Sequence, residues 1–270
     1  MGDQHTIIKI LGVRADFDAA REIRERIRFL KDYIVAARQS AYVLGISGGV
    51  DSLAAGLLAQ CAVRELREAG RPATFIAVRL PYGVQADEKD AAAAIAAIEP
   101  DRVLTVDIKP AADSLMAGVL AGGMNPVLRH HFILGNVKAR QRMVAQYAIA
   151  GASSGLVIGT DHAAEALMGF YTKFGDGAAD ILPLAGLNKR RVRAVAAALG
   201  APETLIWKIP TADLESDAPL RPDEEVYGVT YDQIDDFLEG KPIDPAAAER
   251  IFSAYHASVH KRALPLAPPH

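Results

Sequence analysis

Cysteine is almost missing from the chain. Cys61 is the single one among 270 residues, which excludes an internal disulfide and any metal site built from clustered thiolates. It falls on a stretch that reads as a helix, where a lone cysteine is ordinarily a small core residue. Long apolar runs are missing too. None approaches the roughly 20 residues that span a bilayer, and the first residues, Met-Gly-Asp-Gln-His, carry no charged-then-apolar leader pattern. Positive charge is not in excess: 30 Lys and Arg stand against 33 Asp and Glu, a net −3. That balance gives no electrostatic reason to expect general nucleic-acid binding. No internal repeat or low-complexity block interrupts the chain. What remains is half hydrophobic and rich in alanine, and long enough to bury a substantial core. A soluble, cytoplasmic protein is expected.

The most informative stretch is Leu44-Gly45-Ile46-Ser47-Gly48-Gly49-Val50-Asp51-Ser52. Residues 42–46 are apolar and suit one buried strand. Leu53, Leu57 and Leu58 follow at helical spacing among alanines. The glycines therefore make a tight turn from strand to helix. Such a turn leaves the first N–H groups of the helix unpaired and converging, which binds anions. Gly48 and Gly49 withhold the Cβ atoms that would keep a phosphate off the backbone. Ser47 and Ser52 add hydroxyl donors. Asp51 places a negative charge where phosphate is expected, which makes chemical sense with a divalent cation between them. The ending Val50-Asp51-Ser52 is not the Gly-Lys-Ser/Thr of a Walker loop, and the spacing is not G-x-G-x-x-G. The stretch resembles the SGGxDS loop of the ATP pyrophosphatases, which cleave ATP between its α and β phosphates. A plain Gly-rich strand–helix turn is the competing reading.

Elsewhere apolar runs and helical periodicity alternate. An amphipathic helix is predicted over 15–38, through Ile23, Ile27, Leu30, Ile34 and Val35. Strands are predicted at 42–46, 74–79, 102–108, 156–159 and 205–209. Helices are predicted at about 50–69, 87–98, 110–120, 135–153, 189–199, 232–238 and 245–259. Asn188 suits the N-cap of the 189–199 helix. Residues 211–223 read as a polar loop and 264–270 as a Pro-rich tail. The pattern is α/β: a doubly wound, flavodoxin- or Rossmann-like parallel sheet of about five strands with helices on both faces. It is expected to form a single domain over 1–270 with an ordered core at about 5–262. Ligands in such folds lie beyond the carboxyl ends of the strands, so the loops starting at Ser47, Pro81 and Thr160 should line one site.

Several later stretches narrow the resemblance. The chain carries LPYGVQADE at 80–88, GNVKARQRM at 135–143, GTDHAAEA at 159–166, FYTKFGDGAADILPLAGLNKR at 170–190, PTADLE at 210–215 and HKR at 260–262. In this order they closely resemble the ammonia-dependent NAD synthetases, over about residues 5–262. The resemblance implies an adenine nucleotide alpha hydrolase-like fold and a ligase that amidates deamido-NAD with ammonia. ATP first adenylates the nicotinate carboxylate and ammonia then displaces AMP. It implies an ATP site at Gly45, Ile46, Ser47, Gly48, Gly49, Val50, Asp51, Ser52, Arg79, Gln85, Thr160, Lys189 and Thr211. Asp51 and Glu165 would ligate Mg²⁺, and Lys189 and Ser47 would stabilise charge. Arg140, Lys173, Asp180, His260 and Lys261 match the deamido-NAD positions; by composition alone Arg140 and Lys261 would be solvated charges. Phe132 and Phe170 suit either stacking on a base or a core role. His162 reads as a capping or structural histidine, with no catalytic role.

The resemblance also implies a homodimer with deamido-NAD at the subunit interface, for which the 15–38 and 136–153 helices are the candidates. The 82–88 and 211–223 loops are expected to close over the site and exclude water. Val259 stands where a polar residue is expected, and the tail lacks the aromatic, acidic ending of some relatives. Glutamine-dependent relatives carry an additional amidase domain with a nucleophilic cysteine. The phosphate turn begins near residue 45 and Cys61 lies inside a predicted helix, so free ammonia, or a separate partner that supplies it, is the expected donor. A tRNA-modifying relative would want a basic surface and paired cysteines. An ATP-sensing module would bind ATP without releasing pyrophosphate.

Overall fold

The first elements of the computed structural model are helices α1 (Gln4–Ile10) and α2 (Ala19–Ala36), followed by strand β1 (Ala41–Gly45), helix α3 (Val50–Glu68), β2 (Thr74–Arg79), α4 (Glu88–Ile98) and β3 (Arg102–Thr105). Next come α5 (Lys109–Ala121), α6 (His130–Ala152), β4 (Gly155–Val157), α7 (Ala163–Met168), α8 (Lys189–Ala198) and α9 (Glu203–Ile206). The chain ends with β5 (Thr211–Ala212), β6 (Arg221–Pro222), α10 (Asp223–Tyr227), α11 (Tyr231–Leu238), α12 (Pro245–Ala257) and α13 (Val259–Arg262). The structure describes residues 4–83, 88–124, 129–212, 221–263, 265 and 267–268, with only the backbone at 211, 212 and 221.

Four parallel strands form the sheet in the order β3-β2-β1-β4. β1 and β2 are apolar throughout because both of their faces are covered. Alternate side chains serve opposite cores. Tyr42, Leu44, Phe75 and Ala77 join α2, α3, α4 and α8 on one face. Val43, Ile76 and Val78 join Ile108 and Ala150 on the other, under α5 and α6. A third cluster, through Ile7, Leu167, Tyr231, Phe237 and Ile251, packs α1, α7, α11 and α12 together. Chain order reverses between β1 and β4, so a crevice opens beyond their carboxyl ends.

Most predicted elements stand, with shifted ends. Asp18 caps α2, its Oδ1 accepting from Arg21 N at 2.7 Å. Asn188 caps α8 as expected, accepting from Arg191 N at 3.0 Å. The predicted strand at 205–209 is wrong: Pro202 caps the short helix α9 there. A brief apolar run fits either state, and tertiary packing chose. The sheet accordingly has four strands rather than five. Beside β4 a fifth position is reduced to one parallel bridge, Ile158 to Ile181. β3 stops at Thr105, and Ile108 turns inward at the N-cap of α5. The described ends of the 211–223 stretch pair as an antiparallel ladder, β5 with β6, and Asp223 opens α10. Cys61 is half-buried on α3, where burial pushes its thiol pKa up. Among the described residues no helix is long and apolar enough to cross a membrane.

Candidate active site

The turn after β1 is held from several sides. Gly45 N lies beyond the last residue of β1 that pairs with β4, and donates to Gln146 Oε1 of α6 at 2.7 Å. Gly48 is left-handed, φ +83°, and a Cβ there would lie 2.6 Å from the Ala91 nitrogen of α4. Glycine is thus needed at 48 for close backbone contact with α4. At Gly49 a Cβ would meet only Ser47 Oγ, at 3.5 Å, and this glycine caps α3 with no side-chain bond of its own. Ser47 Oγ accepts from Gly49 N at 3.3 Å, and Ser52 Oγ donates to Gly49 O at 3.1 Å. The hydroxyls hold the turn while the first amides of α3 face the crevice.

Asp51, in the first turn of α3, meets residues from two further elements. Lys189 opens α8, whose first amides are fixed by the buried Asp235 of α11. Asp235 accepts from Lys189 N at 3.0 Å and from Arg190 N at 2.7 Å. The Lys189 side chain is 2% exposed; its Nζ lies 2.8 Å from Asp51 Oδ2 and 4.9 Å from the Tyr231 ring centroid. His162 caps α7, and Glu165 sits in that helix's first turn. His162 Nε2 is 3.4 Å from Asp51 Oδ1 and 3.7 Å from Glu165 Oε1. Burial alone would raise the Asp51 pKa, but the Lys189 ammonium and His162 hold it well below the ordinary carboxylate value. Glu165 is pushed up to about 8 by burial, and the Asp51 charge adds to the rise against His162. Burial and the neighbouring carboxylates Asp176 and Asp51 likewise raise Asp161 to about 7. Asp51 Oδ1 is buried with no hydrogen-bond partner. An orphaned oxygen near a carboxyl whose ionisation is opposed chiefly by burial, and further by the Asp51 charge, is a donor set a hard divalent cation would satisfy.

These groups open onto a cleft of about 480 Å³, a size suited to a nucleotide-sized ligand. Of the residues singled out from the sequence, Gly45, Ile46, Ser47, Gly49, Val50, Asp51, Ser52, Arg79, Thr160, Glu165, Lys189 and Lys261 line it, as do Phe132 and Phe170. Arg79 is ion-paired with Glu88 at the start of α4. Lys261 Nζ donates to Gly169 O and Tyr171 O, both at 2.8 Å. Arg140, Lys173 and His260 gather off the cleft: Arg140 donates to Lys173 O at 3.1 Å and Lys173 to His260 O. Asp180 stands apart, accepting from Val157 N at 2.7 Å and from Tyr147 OH at 3.4 Å. Gln85 and the Thr211 side chain lie outside the described residues, as do most of the two loops expected to close.

Sequence reasoning passed over three groups here. His162, read as a capping or structural histidine, does sit at the N-cap of α7, and it also stands one helical turn before Glu165 and beside Asp51. Asp223 lines the cleft, is 8% exposed, and accepts from Tyr231 OH at 2.9 Å. Burial raises its pKa, and its other oxygen has no hydrogen-bond partner. Lys208 also lines the cleft, 2.6 Å from Asp90. Neither Asp223 nor Lys208 carries any signal in the linear sequence.

Residues 22–265 match the model of the NAD synthase family. The chain belongs to that family. The chain is 60% identical over 257 residues to the NH(3)-dependent NAD(+) synthetase of Burkholderia mallei, covering 94% of this chain and 90% of that one. The same identity holds over 264 residues with the enzyme of that name from Burkholderia cenocepacia, covering 97% and 94%. Among solved structures, the NAD⁺ synthetase of Burkholderia pseudomallei superposes with a TM-score of 0.84 at 56% identity, covering 98% of this chain and 99% of that one. An NMN synthetase from Francisella tularensis superposes with a TM-score of 0.82 at 36% identity, covering 94% and 100%. The doubly wound sheet is therefore an NAD synthase fold.

Proposed function

We propose that this NAD synthase-family protein joins ammonia to the nicotinate carboxylate of deamido-NAD, consuming ATP and releasing NAD, AMP and pyrophosphate in the last step of NAD biosynthesis. The 60% identity to ammonia-dependent synthetases across 97% of the chain carries this reading. A carboxylate is a poor electrophile until one oxygen becomes a good leaving group; transfer of AMP to it makes that group, and ammonia then displaces it. No side chain needs to act as nucleophile. The protein supplies placement and compensating charge.

The α3 amides, Ser47 and Ser52 receive the phosphates, with Arg79 and Thr160 beside them. Lys189, fixed by Asp235, faces the charge that grows on the α-phosphate. Asp51 and Glu165 would hold Mg²⁺, which would supply positive charge against phosphate oxygens. Lys261 at the cleft wall, with Arg140, Lys173 and His260 beyond it, attracts the anionic groups of deamido-NAD. Asp180 meets Tyr147 of α6, with Tyr33 of α2 nearby and Phe29 beside Tyr33; Val144 lies one turn before Tyr147 on α6. Phe29, Tyr33 and Val144 are exposed, and Tyr147 is raised to about 12 by burial, Asp180 and nearby Tyr33. These exposed apolar side chains support a homodimer in which deamido-NAD sits between subunits. The chain works as one domain, in the cytoplasm where its nucleotides are found.

The likeness to an NMN synthetase supports a second reading, in which the corresponding mononucleotide carboxylate is the acceptor. One assay separates them. Protein, ATP, Mg²⁺ and ammonium are incubated with either acceptor. NAD and pyrophosphate should form, faster than the mononucleotide amide, and glutamine should not replace ammonium. Absence of NAD, or preference for the mononucleotide, would overturn the main reading.

A further inference from the structure

We propose that His162 completes a three-residue cation site with Asp51 and Glu165. Its mixed nitrogen and oxygen donors take a first-row transition cation such as Mn²⁺, Co²⁺ or Zn²⁺ in preference to Mg²⁺, and without nucleotide. The inference deepens the metal assignment made above and rests on a cation lying between Asp51 and Glu165.

Two stretches far apart in sequence are brought together by the crevice. Asp51 starts the helix after β1, while His162 and Glu165 start the helix after β4, and these strands are neighbours. One ligand atom from each lies within 4.8 Å of the other two. Nε2 of His162 stands 3.4 Å from Asp51 Oδ1 and 3.7 Å from Glu165 Oε1. Bonds of about 2.1 Å to one ion would set adjacent donors about 3.0–3.4 Å apart, so the two His162 distances nearly fit already, while Asp51 and Glu165, within 4.8 Å of each other, would close further around the ion.

Acidic pairs alone would not make a site; the histidine adds an independent observation. His162 is 1% exposed, and neither ring nitrogen has a hydrogen-bond partner. Asp51 Oδ1, the oxygen facing it, has none either. Lys189 occupies Asp51 Oδ2 instead. Asp51 can thus keep its lysine and still offer a lone pair toward His162. Buried polar atoms are costly when unsatisfied, and a single ion between them would satisfy Nε2 and both carboxylates at once. The donor set then dictates selectivity. Mg²⁺ strongly prefers oxygen, whereas neutral imidazole favours the later first-row ions. The competing arrangement is an imidazolium held between two carboxylates, which binds no ion through nitrogen.

The nucleotide-free protein is loaded with Mn²⁺ and studied by pulsed EPR, and titrated with Co²⁺ against Mg²⁺ by visible absorption. Imidazole nitrogen coupling to Mn²⁺ is expected. One Co²⁺ should bind per chain, about tenfold or more tighter than Mg²⁺, and His162→Asn should abolish that preference. Absence of nitrogen coupling in the natural chain overturns the proposal, as does an unchanged preference in the variant. Should His162→Asn fail to fold, the nitrogen coupling of the natural chain decides alone. A protein that makes NAD with Mg²⁺ yet shows no nitrogen coupling sinks this inference and leaves the reaction intact; coupling without NAD formation does the reverse.

Discussion

Lys189 is the residue on which most of the site's charge balance depends. It is a buried cation on a rigid helix end, paired with a buried carboxylate and lying over an aromatic face. Lys189→Met preserves length and removes the charge. Turnover should fall about 10²–10³-fold, the loss typical of deleting one preorganised charge-stabilising group. Asp51 is left without its partner, so the ligand-free variant should also lose about 3 kcal/mol of stability. Pyrophosphate release and urea denaturation measure the two effects, and near-normal turnover would remove Lys189 from the charge-stabilising role. At this scale legibility was uneven. Asp51 and Glu165 stand in recognisable motifs. Asp223 does not, because its importance comes from burial beside Lys189 and Tyr231, which no local pattern encodes.

Elements put these residues in place, and two positions test that directly. Gly48→Ala forces a Cβ against the α4 backbone at a positive φ, costing about 1–3 kcal/mol. Because the turn must shift to relieve that contact, KM for ATP should rise as well; an unaltered KM would show that the turn tolerates the shift. Asp101 ties three elements together. Its carboxylate accepts from Arg67 of α3 and from Phe75 N of β2, both at 2.8 Å, and from Gln60 at 3.4 Å. Burial opposes ionisation, but these donors prevail and lower the pKa. The unfolded value is near 3.9. The stabilisation is therefore present above about pH 4 and is lost as pH falls through the lower folded value. Asp101→Asn should cost about 1–2 kcal/mol at pH 7, at the modest end because the carboxylate is partly solvated. Denaturation at pH 7 and pH 3 should show the gap between variant and natural chain closing in acid. A gap of equal size at both pH values would mean that the carboxylate charge is immaterial.

The whole molecule is expected to be a pair. Phe29 and Val144 lie in the exposed face assigned to the partner, where a single acid would be buried without compensation. Phe29→Glu or Val144→Glu should give a mass near 28.8 kDa per particle by light scattering, against twice that for the natural chain. Affinity for deamido-NAD should fall in the same variants while ATP binding remains, since the cleft proposed for ATP is lined by residues of a single chain. A monomeric natural chain, or a monomeric variant with unchanged deamido-NAD affinity, would remove the interface from the substrate site.

The order of elements was legible because buried parallel strands are short, apolar and separated by amphipathic helices. The turn from β1 to α3 was legible because glycines and hydroxyls between an apolar strand and an alanine-rich helix mark such a junction. The strand predicted at 205–209 was not, since four or five apolar residues fit a strand or a helix end equally well and only packing decides.

By itself, then, the sequence determined the doubly wound order, the glycine turn from strand to helix and the family. Those depend on local periodicity and on motifs read along the chain. Tertiary structure alone decided that Asp235 fixes Lys189, that Asp180 turns to the exposed face, and that His162 stands between two acids. The contacts of Asp235 with Lys189, of Asp180 with Val157 and of His162 with Asp51 span 46, 23 and 111 positions (162 − 51) of chain, made when β1 and β4 become neighbours and α8 and α11 pack together. A linear sequence carries no distance between such residues; the fold supplies it.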